Sequence, residues 1–315
     1  MATLKELASR DELLSGGHRA CAGCGMTSIV RQILLVAGKN TVVSCATGCL
    51  EVTTTIFPYT AWRVPFIHSA FENVAATVSG IETAYRSLKK QGKIKEDTKF
   101  IAFGGDGGTY DIGIQALSGA LERGHKMLYV CYDNEAYMNT GNQRSGATPF
   151  SADTTTCPVG SVIKGKQQFN KDLTAIVAAH GVPYVAQANG AFWKDLTAKV
   201  EKALAADGPS FMNILSPCVL GWKYEADETV EISKLAVDTC FWPLYEVEEG
   251  VYRINHIPPK KKPLSEWTKR QGRFRHFHRP GGEQLLARAQ AEVDRRWERL
   301  LSISELPKKP ARQPK

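Results

Sequence analysis

An acidic residue stands between two pairs of glycines in Gly104-Gly-Asp-Gly-Gly108, directly after the apolar run Lys99-Phe-Ile-Ala-Phe103. Adjacent glycines let the backbone approach a diphosphate closely, and a following helix start favours its negative charge. Asp106 then offers the hard carboxylate oxygen that Mg²⁺ takes alongside phosphate oxygens. Turns and calcium loops use the same residue types, so this pattern alone leaves those readings open. A second polar loop, Tyr132-Asp-Asn-Glu-Ala-Tyr-Met-Asn-Thr-Gly141, follows after the length of one helix and one strand. Asn134 and Asn139 within it fit either cofactor contacts or ordinary turn hydrogen bonds.

Cysteines supply the other reactive set. Cys21-Ala-Gly-Cys24-Gly25 is a Cys-x-x-Cys in a loop before a helix, Thr47-Gly-Cys49 follows an apolar run, and Pro217-Cys218 follows another. Four thiolates without paired histidines suit Zn²⁺ or an iron–sulfur cluster. A zinc ribbon would show a second Cys-x-x-Cys, which is missing. Of the eight cysteines, Cys131 reads as a small buried residue. Cys45, Cys157 and Cys240 carry no further signal.

These residues need elements to bring them together. Thr41–Cys45, Lys99–Phe103, Met127–Tyr132 and Phe211–Leu215 read as buried strands bounded by Gly, Pro, Asp or Asn. Helical patterns alternate with them over Met26–Val36, Glu72–Lys90, Ile112–Glu122, Leu173–His180 and Trp193–Ala205. That alternation predicts an α/β fold with a doubly wound parallel sheet, whose ligands bind outside the carboxyl ends of the strands. The loops after Cys45, Phe103, Tyr132 and Leu215 should then share one edge, where the four thiolates can converge. We expect residues 1–237 to hold the site and 238–315 to form a C-terminal extension. In the extension, Pro258–Pro263 is a stiff basic linker, Glu283–Leu301 an amphipathic helix, and Pro307–Lys315 a mobile tail.

Bulk properties bound the function. A chain of 315 residues with 43% hydrophobic content can bury a sizeable core. No stretch approaches the roughly 20 apolar residues of a membrane span. The start, Met1–Asp11, lacks the apolar segment of a secretory signal and reads as cytoplasmic. The net charge of +8 concentrates between Lys260 and Arg279. That run reads as a solvated tail or an arm against an acidic partner, since no aromatic RNA-binding signature or helix-turn-helix supports nucleic acid.

The two polar loops together resemble the thiamine diphosphate motif, which runs from Gly-Asp-Gly to an Asn-containing turn. Residues 18–271 further resemble the beta subunit of pyruvate:ferredoxin oxidoreductase and its relatives. The match rests on Gly17-His-Arg-Ala-Cys-Ala-Gly-Cys-Gly25, Ala46-Thr-Gly-Cys-Leu-Glu51, Gly105-Asp-Gly-Gly-Thr-Tyr-Asp-Ile-Gly113, Asn134-Glu-Ala-Tyr-Met-Asn-Thr-Gly141, Gln143-Arg-Ser-Gly-Ala147 and Trp242-Pro-Leu-Tyr-Glu-Val247. The resemblance implies Mg²⁺ held by Asp106, Asn134 and the Ala136 carbonyl, with Gly105, Gly107, Gly108, Cys49 and Asn139 around thiamine diphosphate. It implies a [4Fe-4S] cluster on Cys21, Cys24, Cys49 and Cys218. Met26 stands where relatives often carry a cofactor-contacting Glu.

The resemblance also implies oxidative decarboxylation of a small 2-oxoacid, with ferredoxin as electron acceptor. A second chain would supply the pyrimidine-binding domain and a ferredoxin-like chain further clusters; neither nucleic acid nor a membrane is expected. A non-redox thiamine decarboxylase or synthase with structural zinc is the alternative. Asn142 stands where pyruvate-using relatives carry glycine or an apolar residue. An amide facing the substrate there would suit oxalate, whereas an amide facing away would only stabilise the turn.

Overall fold

The computed structural model describes residues 3–305. Met1, Ala2 and residues 306–315, with the tail expected from Pro307, lie outside the described residues. The strands are β1 (Thr41–Ala46), β2 (Phe66–Ser69), β3 (Lys99–Gly105), β4 (Leu128–Asp133), β5 (Tyr184–Asn189), β6 (Ser210–Leu215), β7 (Tyr245–Glu248), β8 (Val251–Ile254) and β9 (Ser304–Glu305). They form one sheet in the order β2-β1-β3-β4-β6-β5-β7-β8-β9. The first six in that order pair in parallel, as the strand–helix alternation predicts.

Alternation along each strand explains why the sheet is apolar on both faces. Ile101 and Phe103 of β3 join Leu128 and Val130 of β4 on the face covered by the helices Gly25–Ala37 and Trp193–Ala205. Phe100 and Ala102, with Tyr129 and Cys131, face the helices Val74–Lys90 and Ile114–Glu122. Two-sided burial is the normal state of a parallel sheet, and it accounts for the unbroken apolar runs in the sequence.

Register then aligns the strand ends. Gly105 pairs with Tyr132, and Asp133 with Leu215. The chain therefore leaves β1, β3, β4 and β6 at one edge, delivering Cys49, Asp106, Asn134 and Cys218 to it. β1 connects to β2 on one side while β3 connects to β4 on the other, so a crevice opens between β1 and β3.

Several features depart from the sequence reading, the unexpected strand β2 among them. β5 was not expected, because Gln187 and Asn189 interrupt its apolar pattern. Both are buried and satisfied, Gln187 by Thr174 and the Pro243 carbonyl, Asn189 by Ser233. The helix expected from Ile112 starts at Ile114, because residues Gly107–Asp111 form a π-helical turn, a form that recurs at functional sites. Residues 238–305 continue the same sheet and core. β7 lies antiparallel on β5, and Trp267, Phe274, Phe277 and Trp297 join the cluster that contains Tyr129 and Phe211.

The basic run is also partly internal. Lys261, Lys262, Arg270 and Arg273 pair with Asp294, Asp238, Glu228 and Glu135 of this chain. For these four, the acidic partner expected from sequence is the protein itself. Because Trp267 is buried among residues of the sheet-covering core, Trp267→Ala is expected to cost roughly 3–5 kcal/mol of stability. A denaturant titration followed by far-UV circular dichroism checks this; a loss below about 1 kcal/mol would mean the segment packs independently.

Candidate active site

Asp106 ends up completely buried at the start of the π-helical turn. Its Oδ1 accepts from the Asn134 backbone N–H at 3.3 Å and its Oδ2 from the Ser145 hydroxyl at 2.5 Å. Burial pushes its carboxyl well above the usual range, and the neighbouring Asp133 pushes it further. Without a compensating cation, a buried carboxylate of this kind favours its proton.

The atoms around it supply a place for that cation. One terminal atom of the Asn134 amide lies 3.1 Å from Asp106 Oδ1 and 2.8 Å from the Ala136 carbonyl oxygen. Turned one way, the amide nitrogen donates to both oxygens. Turned the other way, three oxygens converge, which is favourable only with a cation between them. Adjacent oxygens of an octahedral Mg²⁺ at 2.0–2.1 Å stand about 3.0 Å apart. The donor set and its spacing fit that ion.

The crevice beside it has a volume of about 310 Å³, part of it open to solvent, and is lined by Thr47, Gly48 and Cys49 from the β1 loop, the glycines around Asp106, and the loop from Asn134 to Thr140. Glycine is required at two points. A Cβ on Gly107 would stand 2.5 Å from the Tyr137 ring, and one on Gly108 would stand 2.9 Å from the Phe71 carbonyl oxygen. Tyr132 contributes a buried hydroxyl with no hydrogen-bond partner, which a Cβ on Gly48 would approach to 2.8 Å. An orphaned donor at a cleft wall fits a polar ligand that accepts from it.

Asn139 is exposed and lines this crevice. Asn142 does not line it. Its backbone has φ of 59°, a left-handed conformation that Asn tolerates better than most residues. Its amide oxygen lies 3.3 Å from where a Cβ on Gly221 would be, toward the Cys218 loop. The left-handed turn by itself accounts for an Asn here, in line with the reading in which the amide faces away and stabilises the turn. Met26 is buried in the core beside Ile29 and Val30, and it does not line the crevice either.

The four cysteines meet at the same edge. The Gly25 N–H donates to the Pro217 carbonyl at 3.3 Å, joining the Cys21–Cys24 turn to the Cys218 loop. Burial pushes the Cys49 thiol up to about 12, with Cys218, Cys24 and Cys21 adding to the shift. Cys218 is pushed up to about 11, chiefly by burial, with Cys24 and Cys21 contributing. Cys49 and Cys218 lie within electrostatic reach of the other two thiols, and binding a metal would favour their ionised form. Among the described residues, no three His, Cys, Asp or Glu side chains form a group that could hold a metal ion. Thiolates around one Zn²⁺ stand about 3.8 Å apart, whereas a cubane cluster spreads its ligands over separate irons. Cys45, Cys131 and Cys240 are buried, and Cys157 belongs to the loop where its carbonyl accepts from Thr154.

Sequence reasoning missed Ser145 and Tyr132 at the site. Neither carries a local signal; each reaches it through strand register or loop closure.

Comparison with known proteins decides the family. The profile of the thiamine pyrophosphate enzyme C-terminal TPP binding domain matches residues 46–214. The pyruvate synthase subunit PorB of Thermotoga maritima is 59% identical, over 95% of this chain and 94% of its own length. The chain belongs to the PorB family. The PorB of Methanocaldococcus jannaschii is 56% identical over 85% of this chain and 91% of its own. The ketoisovalerate oxidoreductase subunit VorB of Pyrococcus abyssi is 42% identical over 94% of each. A solved 2-oxoglutarate:ferredoxin oxidoreductase from Magnetococcus marinus shares the fold, with a TM-score of 0.55 at 20% identity, over 74% of this chain and 81% of that one.

For this PorB-family chain, Gly107→Ala is expected to weaken thiamine diphosphate binding by at least about tenfold, ~1.4 kcal/mol, because the methyl displaces Tyr137. Equilibrium dialysis of the cofactor checks this, with a melting temperature near that of the unaltered protein as control. Unchanged affinity would place the diphosphate elsewhere.

Proposed function

We propose that this chain is the beta subunit of a pyruvate:ferredoxin oxidoreductase, holding Mg²⁺–thiamine diphosphate and one [4Fe-4S] cluster side by side. The observation that carries the reading is Cys49, which lines the crevice and belongs to the four-cysteine group. A cluster ligand at the crevice wall gives electrons a short path out, which a hydride-accepting site would not need.

Asp106, Asn134 and the Ala136 carbonyl would hold Mg²⁺, and Gly105, Gly107 and Gly108 leave room for the diphosphate. Bound there, thiamine diphosphate supplies a carbanion that adds to a 2-oxoacid carbonyl and lets CO₂ leave. The chain's own part is to neutralise and anchor the diphosphate, to keep Asn139 at the crevice mouth, and to hold Cys21, Cys24, Cys49 and Cys218 for the cluster. Activating the cofactor also takes a carboxylate at its pyrimidine ring, which we assign to a partner chain across the crevice. A ferredoxin-like chain would carry electrons onward to ferredoxin. Eight free thiols suit a reducing compartment, the cytoplasm. No helix among the described residues is long and apolar enough to cross a membrane.

Pyruvate is the substrate we favour, on the PorB relatives. Oxalate rested on a substrate-facing Asn142, and that amide turns toward the cysteine loop. The zinc alternative is disfavoured on the relatives, which are pyruvate synthase and ketoisovalerate oxidoreductase subunits.

The test is made on the purified native complex, with a low-potential dye as acceptor and pyruvate, oxalate and 2-oxoisovalerate as substrates. Pyruvate should be the fastest; faster turnover of oxalate would overturn the substrate. Iron and acid-labile sulfide should fall in the Cys218→Ala variant and stay whole in Cys131→Ala. Zinc in place of iron in the unaltered complex would remove the redox reading. In Asp106→Ala, Mg²⁺-dependent cofactor binding should vanish while cluster absorbance remains.

A further inference from the structure

Two of the metal-facing groups, the Asn134 side chain and the Ala136 carbonyl, flank a residue in an unusual conformation. Glu135 has φ of 67°, the left-handed region that L-residues other than Gly, Asn and Asp seldom occupy. Reversing the chain at this one position is what lets the side chain before it and the carbonyl after it face the same point. Strain of this kind persists only where the surroundings hold it.

Locally, the Glu135 N–H donates to Asp133 Oδ1 at 2.9 Å and its carbonyl accepts from the Thr148 hydroxyl at 2.6 Å; its side chain is held from far along the chain. Glu135 forms a fully buried ion pair with Arg273, their side chains 1% and 3% exposed. The guanidinium Nε donates to Gln271 at 2.8 Å, and its plane lies over Trp222 at 4.1 Å and Phe274 at 4.9 Å. Trp222 in turn donates from its indole N–H to the Asn134 carbonyl at 2.9 Å. It sits one helical turn after Cys218, whose carbonyl accepts from the Trp222 N–H at 2.8 Å. Arg273 thus stands where the metal loop and the cysteine loop meet, gripped on several sides. A planar fork that donates and stacks at once is a property of Arg and not of Lys.

We infer that Arg273 is a positioning residue: through Glu135 it holds the left-handed turn that aims Asn134 and Ala136 at Mg²⁺. This rests on the reading of Asp106, Asn134 and Ala136 as the metal ligands. Buried ion pairs contribute little net stability compared with apolar replacements, so a geometric role is the better account of the pair.

The experiment uses the full complex and measures the Mg²⁺ concentration that half-saturates thiamine diphosphate binding, with cluster absorbance as the assembly control. Arg273→Met should raise it by roughly tenfold, the scale of a left-handed strain no longer held. Adding Glu135→Gly should restore it, because Gly adopts φ near +67° unaided. Adding Glu135→Gln should not, since it removes the unpaired charge but leaves the strain. An unchanged half-saturation in Arg273→Met, or rescue by Gln as full as by Gly, would overturn the inference. If Arg273→Met does not assemble, Arg273→Lys keeps the buried charge and should still raise the requirement about threefold; wild-type behaviour there would also overturn it. A wild-type complex that binds the cofactor without any need for a divalent cation would instead overturn the metal assignment itself, and this inference with it.

Discussion

A buried carboxylate is the constraint on which the rest of this molecule depends. Asp106 lies fully inside the protein beside Asp133, and two hydrogen bonds do not offset the loss of water around a charge. The parallel strands deliver it there, and the same register delivers Asn134 opposite it. Everything nearby then works to make one point attractive to a divalent ion: glycines that keep side chains out, an amide and a carbonyl that turn inward, and a buried arginine behind them. In the proposed reading, the ion and its diphosphate would supply the compensation that folding alone leaves unmet.

The cysteines obey the same logic from the other side of the crevice. Burial drives the Cys24, Cys49 and Cys218 thiols up, so a ligated state would favour their ionised form. Because Cys49 lines the crevice and lies beside the other three cysteines, the proposed cofactor and cluster positions are not independent. The contact between the Gly25 N–H and the Pro217 carbonyl, and the Trp222 bond to the Asn134 carbonyl, join the loops into one unit. The C-terminal segment completes it. Residues 238–305 extend the sheet, bury their aromatics against its face, and send Arg273 into the site.

Much of this was legible before folding, and the legible part has a common cause. Asp106 between its glycine pairs and the Cys21–Cys24 spacing are local signals, written in adjacent residues. Cys49 and Cys218 became candidates by the resemblance and by supposing that strand ends share an edge, which the register bears out. Ser145, Tyr132, Trp222 and Arg273 were invisible because their roles arise from contacts across long stretches of sequence. Asn142 reads two ways because a polar residue chosen for a left-handed turn looks the same, in sequence, as one chosen for a substrate. For four cations of the basic run the partner was hidden for a similar reason: Asp238, Glu228, Asp294 and Glu135 lie far from it along the chain. β5 was hidden by Gln187 and Asn189, whose partners on other elements make burial affordable.

The central claim is that one chain holds a cation–diphosphate site and an iron cluster that meet at Cys49. Anomalous diffraction from crystals of the native complex, collected at the iron and zinc edges with thiamine diphosphate and Mg²⁺ present, addresses it most directly. The account predicts iron density enclosed by Cys21, Cys24, Cys49 and Cys218, no zinc there, and a metal bonded to Asp106, Asn134 and the Ala136 carbonyl. Zinc between the cysteines, or a diphosphate bound away from Asp106, would contradict it.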